Sequence, residues 1–325
     1  MTQVPPATAA VRRAVRRALA GAEGTVLVAC SGGADSLALA AATAYVAPRL
    51  GRGAGLVTVD HGLQDGSAAR AAGVVGWARA AGLDPTEVAT VAVGRDGGPE
   101  AAARTARYAA LDDAADRHDA VVLLGHTRDD QAETVLLALA RGAGPRGLAG
   151  MPAVRGRYRR PLLDLPRATT AAACAESGLT PWQDPHNTDP AYARSRLRAA
   201  LDELESLLGK GFRTNLARTA GLVAADSELL DAQAAALLST VDTGAGLDVA
   251  LLSAAPAALR TRVLHAYARG LGAAGSALTA AHVASLDALL TDWHGQGPVY
   301  LPGAITVRRR AGRLTAEPAT PTAGG

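Results

Sequence analysis

The sequence predicts an α/β protein, with a doubly wound parallel sheet within residues 1–205 and a smaller, mainly helical domain over 206–325. Three observations point to this. Short apolar runs rich in β-branched residues alternate with Ala-rich stretches of helical spacing as far as residue 140. Three of those runs stop at polar clusters, at residues 31–36, at Asp60-His61-Gly62 and at residues 126–134. From Arg194 onward the apolar spacing is helical almost to the end.

In chain order, residues 8–21 form an amphipathic helix with Arg12, Arg13, Arg16 and Arg17 on one side. Residues 25–30 are the first strand, and an Ala/Leu helix runs from Asp35 to about Tyr45. The second strand is 55–60, a helix spans about 66–81, and the third strand is 87–93. Pro99 opens a helix to Arg117, as proline favours a first turn. The fourth strand is 120–124, stopped by Gly125 and His126, and a helix follows over 129–140. Residues 142–198 are broken by prolines and read as loops closing the first domain, with a short strand at 160–163 and a helix at 168–177. Helices fill 201–293, broken at 209–211, 243–246 and 270–275. Residues 298–315 read as a β-hairpin and the last ten as a tail.

A chain of 325 residues is comfortable for two domains, and 49% hydrophobic residues suffice for a core although aromatics supply only 3%. The net charge of +3, with Lys210 the single lysine, permits nucleic-acid binding without demanding it. Two cysteines, Cys30 and Cys174, exclude a disulfide scaffold and argue against zinc or sulfur-carrier chemistry; they read as buried packing residues. No signal-peptide core follows the N-terminal arginines, and no apolar run reaches about 18 uncharged residues, so the chain reads as cytoplasmic with no membrane partner.

Two stretches carry chemistry. In the first, Ser31, Gly32 and Gly33 form the corner between strand and helix, where backbone N–H groups and the helix N-terminus make an anion site. The Lys of a Walker A loop is missing, and Asp35 stands in the first helical turn instead. A carboxylate beside phosphates implies Mg²⁺ between them; the alternative is that Ser31 or Asp35 merely caps a helix. In the second stretch, residues 124–137, Asp129 and Glu133 share a helix face and Asp130 lies on a neighbouring one, with His126 just upstream. Three acids there can hold a metal or a cationic substrate; alternatively, Thr127 and Asp130 form a capping box. All three polar clusters follow strand carboxyl ends, the ligand edge of an open parallel sheet.

Ser31-Gly32-Gly33-Ala34-Asp35-Ser36 resembles the PP-loop of the ATP pyrophosphatases, which cleave ATP between the α and β phosphates. The resemblance sharpens at Gly125-His126-x-x-Asp129-Asp130-Gln131-Ala132-Glu133-Thr134 and at Arg141-Gly142-Ala143-Gly144-x-x-Gly147-Leu148-x-Gly150-Met151. These, with Asp60-His61-Gly62-Leu63, Ala103-Arg104-x-x-Arg107-Tyr108, Arg160-Pro161-Leu162-Leu163 and the run from Asp184 to Arg198, resemble the tRNA(Ile)-lysidine synthetase family in order over about residues 24–200. Asp60 stands where the family usually has Asn, and Thr127 where it often has His. Long members carry a further C-terminal domain, so this chain resembles a short form.

The resemblance implies a Rossmann-like fold of the PP-loop ATPase, or adenine nucleotide alpha hydrolase-like, kind. It implies that ATP adenylates O2 of the wobble cytidine of tRNA(Ile) with a CAU anticodon, and that L-lysine then attacks C2 to give lysidine. ATP would be held by Ser31, Gly32, Gly33, Ala34, Asp35, Ser36, Asp60 and His61, and Mg²⁺ by Asp35, Asp129 and Glu133. Asp35, Arg107, His126, Asp130 and Glu133 would carry catalysis. Asp129 and Asp130 would face lysine, and Arg194, Arg196 and Arg198 the tRNA or ATP. His61 is also read as supporting a turn, and Trp77, Trp182 and Trp293 as packing. The helical domain and the arginines of the closing segment would grip the anticodon stem, with the oligomeric state left open between monomer and homodimer. The competing readings are a tRNA thiolase, a small-molecule ligase of the same superfamily, and a nucleotide-binding module without catalysis.

Overall fold

Burial on both faces is what the apolar run of the first strand demands, and the computed structural model, which describes residues 4–62, 66–94, 98–182, 193–275 and 277–318, supplies it. Two compact units result, residues 1–224 and 225–325. The first begins with α1 (Pro6–Leu19), β1 (Thr25–Ala29), α2 (Ala34–Arg49), β2 (Ala54–Asp60), α3 (Ser67–Ala80) and β3 (Thr86–Thr90). It continues with α4 (Pro99–His118), β4 (Ala120–Leu124), α5 (Arg128–Ala140) and α6 (Pro145–Leu148). Then come β5 (Val154–Arg155), β6 (Tyr158–Arg159), α7 (Arg167–Glu176), α8 (Ala193–Leu208) and α9 (Phe212–Val241).

The sheet order is β3-β2-β1-β4-β6-β5, parallel except for β5. The two-residue period of β1 divides its side chains between two layers. Val26 and Val28 pack with α1, α2 and α7, whereas Leu27 packs with Val57, Val122 and Leu111 on the α4 side. Burial of each of these contributes about 1.5–3 kcal/mol. Pro5 offers α1 no side-chain cap, and Glu176 of α7 replaces it, accepting from Thr8 N at 2.7 Å and Thr8 Oγ1 at 2.8 Å.

After β1 the chain winds toward β2 and β3, and β4 returns to the opposite side of β1, so the carboxyl ends of β1 and β4 frame a switch point. Gly125 lets the two loops meet there: a Cβ at that position would lie 3.3 Å from the backbone N and Cα of Ser36.

The strand expected at 160–163 lies earlier, as β6, in a tight hairpin with β5. Pro161 has no N–H to continue a ladder, and Arg160 N donates the last bond, to Ala153 O at 2.9 Å. The second unit holds β7 (Leu247–Asp248), α10 (Val249–Ser253), α11 (Ala257–Gly270), α12 (Ala280–Thr291), β8 (Val299–Leu301), β9 (Ile305–Arg310) and β10 (Arg313–Pro318). The C-terminal hairpin read from sequence is thus part of a four-stranded antiparallel sheet, order β7-β10-β9-β8. Gly246 admits β7: a Cβ there would stand 2.3 Å from Leu314 O. The units divide inside the 30-residue helix α9, whereas the sequence reading placed the boundary at 205/206. The glycines at 209 and 211 only turn α8 into α9. No helix among the described residues is long and apolar enough to cross a membrane.

Candidate active site

The corner after β1 is folded by a serine. Ser36 is buried, its hydroxyl donates to Gly33 O at 2.9 Å and accepts from Ser31 N at 3.2 Å, and Cys30 Sγ lies 3.5 Å away. Gly32 takes a left-handed φ of +83° that a side chain resists. Gly33 is the N-cap of α2, and among the described residues no side chain caps that end. The first-turn N–H groups of Ala34 and Asp35 have no intrahelical partner, the kind of donor an anion site uses. Trp182 N donates to Gly32 O at 3.0 Å, and Arg70 lies 4.3 Å over the Trp182 ring. A tryptophan read as packing thus braces the phosphate loop.

Four acids gather across the crevice around one arginine at the start of α7. Arg167 Nη2 lies 2.7 Å from Asp130 Oδ1 and 3.4 Å from Glu133 Oε1, and its Nε lies 3.7 Å from Asp35 Oδ2. Its backbone N donates to Asp129 Oδ2 at 2.8 Å. Arg198 Nε adds a 2.8 Å bond to Glu133, which is only 4% exposed, and Arg213 Nε lies 3.6 Å from Asp129. The Thr170 hydroxyl sits between the Asp35 carboxylate and Arg167 O.

The alternatives left open by the sequence coexist at Asp130. Its Oδ2 accepts from Thr127 N at 2.7 Å and Thr127 Oγ1 at 2.9 Å, the capping arrangement, while Oδ1 faces Arg167. Burial alone would raise its pKa, but Arg167, the Thr127 N–H and His126 together hold it below the usual carboxylate range. Asp35 goes the other way, because burial raises its pKa more than Thr170 and Arg167 lower it.

His126 follows β4, and its Nδ1 is buried with no hydrogen-bond partner among the described residues. Burial, aided by Arg107, Arg160 and Arg104, lowers its pKa to about 4 against the pull of Asp130. His61 is shifted the same way by burial and Arg107, so Arg107 stands within electrostatic reach of both imidazoles. Because a neutral folded His126 must compete with an unfolded chain that protonates near pH 6.5, stability is expected to fall as pH drops from about 6.5 to about 4, by roughly 3 kcal/mol from this group. Denaturant titrations of the protein and of His126→Gln test this: the variant should lose less on acidification, and parallel pH profiles would contradict it.

Of the residues singled out in the sequence, Asp35, His126, Asp129, Asp130, Glu133 and Arg198 come together here. Asp60 lies at the end of β2, where its Oδ1 accepts from Gly62 N at 2.9 Å, a turn that Asn would make equally well. Arg196 is exposed on α8, and the side chain of Arg194 lies outside the described residues. Asp35, Asp129 and Glu133 do not form a metal cage: no group of three or more such ligands is arranged for a metal ion among the described residues. Arginines take their oxygens instead. Arg167, Thr170, Trp182 and Arg213 were missed, although Arg167 lies just beyond the quoted Arg160-Pro161-Leu162-Leu163 motif. Gln131 turns out to be a pin, its amide bonded to Met151 N at 2.7 Å and Met151 O at 3.0 Å. Gly150 makes room for it, since a Cβ there would stand 2.7 Å from Gln131 Oε1.

A lysine-free anion loop at the switch point, faced by acids on the neighbouring helix, defines the class as a PP-loop nucleotide-dependent enzyme. The PP-loop domain family matches residues 8–204, and the TilS substrate binding domain matches residues 247–315. The chain is 62% identical to tRNA(Ile)-lysidine synthase of Salinispora tropica, covering 97% of this chain and 98% of that protein. It is 57% identical to tRNA(Ile)-lysidine synthase of Thermobifida fusca, again over 97% and 98%. A solved structure of a U34-tRNA thiolase from Methanococcus maripaludis shares the fold, with a TM-score of 0.56 and 18% identity over 67% of this chain and 78% of that one. The chain belongs to the tRNA(Ile)-lysidine synthase family.

Proposed function

We infer that this chain joins free L-lysine to C2 of the wobble cytidine of tRNA(Ile) with a CAU anticodon, consuming ATP and giving lysidine, AMP and pyrophosphate. The product pairs with adenosine, which moves decoding from AUG to AUA and charging from methionine to isoleucine. The observation that carries this reading is the bridge at Arg167, 3.7 Å from Asp35 on the phosphate-loop helix and 2.7 Å from Asp130 on the acid-bearing helix. That bridge supports a phosphate cradle and a cation site opening on one crevice.

In the first step the cytosine O2 attacks the α phosphorus, and the N–H groups at the start of α2 hold the departing pyrophosphate. Asp35, a hard carboxylate beside the phosphate loop, would hold Mg²⁺. Bound there, Mg²⁺ would neutralise charge on the leaving group. In the second step the lysine side-chain amine attacks C2, the C2–O2 bond breaks, and the oxygen departs in AMP. Asp130 and Glu133 attract the side-chain ammonium, which must share them with Arg167 and Arg198 and loses one proton to water before the amine attacks. His126, neutral at physiological pH, offers the adenylated base a hydrogen bond, and Arg107 offsets phosphate charge. The cytidine leaves its stack to reach these groups, as in other base-modifying enzymes. The second unit and exposed arginines such as Arg196 grip the anticodon arm, so binding weakens with salt. This chemistry belongs in the cytoplasm.

Cys30 and Cys174 are 3% and 1% exposed and burial raises both thiols, which leaves a thiolase reading without a sulfur carrier. Nucleoside analysis of tRNA(Ile) after incubation with ATP and lysine tests the function. A new nucleoside with the mass of cytidine plus lysine less one water, formed one-for-one with AMP, is expected. AMP release with the cytidine unchanged would overturn the reading.

A further inference from the structure

Beside the acid cluster, the first unit carries a separate open groove of about 470 Å³ between α4 and the β5–β6 hairpin, lined by Arg104, Tyr108, Asp112, Arg155, Tyr158 and Arg160 among others. Its volume falls in the range of sites that hold a nucleotide-sized ligand. The one acid among these residues is spent: Asp112 Oδ1 accepts from Tyr158 OH at 2.7 Å and lies 3.8 Å from Arg157. Tyr158 is thereby fixed, and its ring meets that of Tyr108 edge-on at 5.1 Å. Tyr108 in turn lies under the exposed guanidinium of Arg104, 4.9 Å from its ring.

Arg160 supplies an independent sign of an anionic ligand. It is only 5% exposed; Nη1 donates to Pro152 O at 2.8 Å, while its buried Nε has no hydrogen-bond partner among the described residues. A buried cationic donor left unsatisfied is costly, and a phosphate oxygen would satisfy it. Arg155 stands exposed at the hairpin, across the groove. Arg104 and Arg160 are also two of the cations felt by His126, so the groove lies within electrostatic reach of that imidazole.

We propose that this groove binds the unpaired anticodon-loop strand next to the modified cytidine, with phosphates on Arg155 and Arg160, Arg104 swinging from the Tyr108 ring to a further phosphate, and one base taking its place against Tyr108. The ligand is single-stranded because a tyrosine face can stack only on a base released from pairing. The inference rests on the tRNA-modifying function above, and it adds which surface of the catalytic unit guides the loop to the site.

The test uses the full chain and an anticodon stem–loop RNA, read both by fluorescence anisotropy and by turnover. Arg104→Ser and Arg155→Ser, both at exposed positions, should each weaken RNA binding and raise the RNA KM about tenfold, and flatten the salt slope by about 0.7, leaving the KM for lysine and ATP in place. Tyr108→Phe should bind like the parent and Tyr108→Leu more weakly. A 4-thiouridine placed beside the target cytidine should crosslink into the α4 or β5–β6 segment. If the parent protein makes lysidine but the arginine variants bind the loop as well as it does, the groove proposal falls and the function stands. If no lysidine forms but the variants lose loop affinity, the function falls and the groove stands. Equal competition by duplex RNA or by an acidic peptide would also overturn the proposal.

Discussion

Arg167→Met is expected to destabilise the first unit by about 2–3 kcal/mol near neutral pH, and by clearly less near pH 5. The guanidinium is shared by Asp130, Glu133 and Asp35, and its backbone N by Asp129. Removing one partner of a buried ion pair costs about 3–5 kcal/mol, and the lower figure here allows for the 32% exposure of the Arg167 side chain and for the support Arg198 gives Glu133. Without the cation, the crowded carboxylates bind protons more tightly in the folded state than in the unfolded chain. Each such group subtracts stability above its unfolded pKa of about 4 and ceases to do so below it, so the deficit shrinks on acidification. Urea titrations of parent and variant at the two pH values measure this. An equal deficit at both would mean that Arg167 is not the counter-charge of the cluster.

Asp35→Asn should abolish AMP formation, by about a hundredfold or more, without lowering the melting temperature. Burial holds the Asp35 pKa above the usual carboxylate range, so at neutral pH its ionised form subtracts from stability, and a neutral isostere removes that cost. Loss of activity with equal or greater stability marks a residue kept for function. Thermal melts and AMP release measured on the same preparation decide it; unchanged turnover, or a collapse of the fold, would contradict the assignment.

The framework of this site can be read from the sequence because it rests on local chemistry. The glycines at 32 and 33 signal a sharp corner, the run at 26–28 signals a doubly buried strand, and the acids after β4 signal a helix start with charge to spare. Arg167 cannot be read that way. An arginine after a proline looks like any surface residue until the segment after β6 carries α7 across the switch point. Trp182 is hidden for the same reason, since its backbone bond to Gly32 joins positions 150 apart in the chain. At the C-terminus, β7 is two residues long, too short for a two-residue period to show, and its pairing with β10 depends on the absent side chain of Gly246. The boundary between the units is obscured by a helix that runs through it.

Transfer of labelled lysine to RNA tests the shared crevice most directly. Given ATP, lysine and tRNA(Ile) with a CAU anticodon, the protein should label the RNA, should do so only with ATP present, and should leave initiator and elongator methionine tRNAs unlabelled. Label reaching the methionine tRNAs equally, or reaching no RNA while ATP is still split to AMP, would contradict the account.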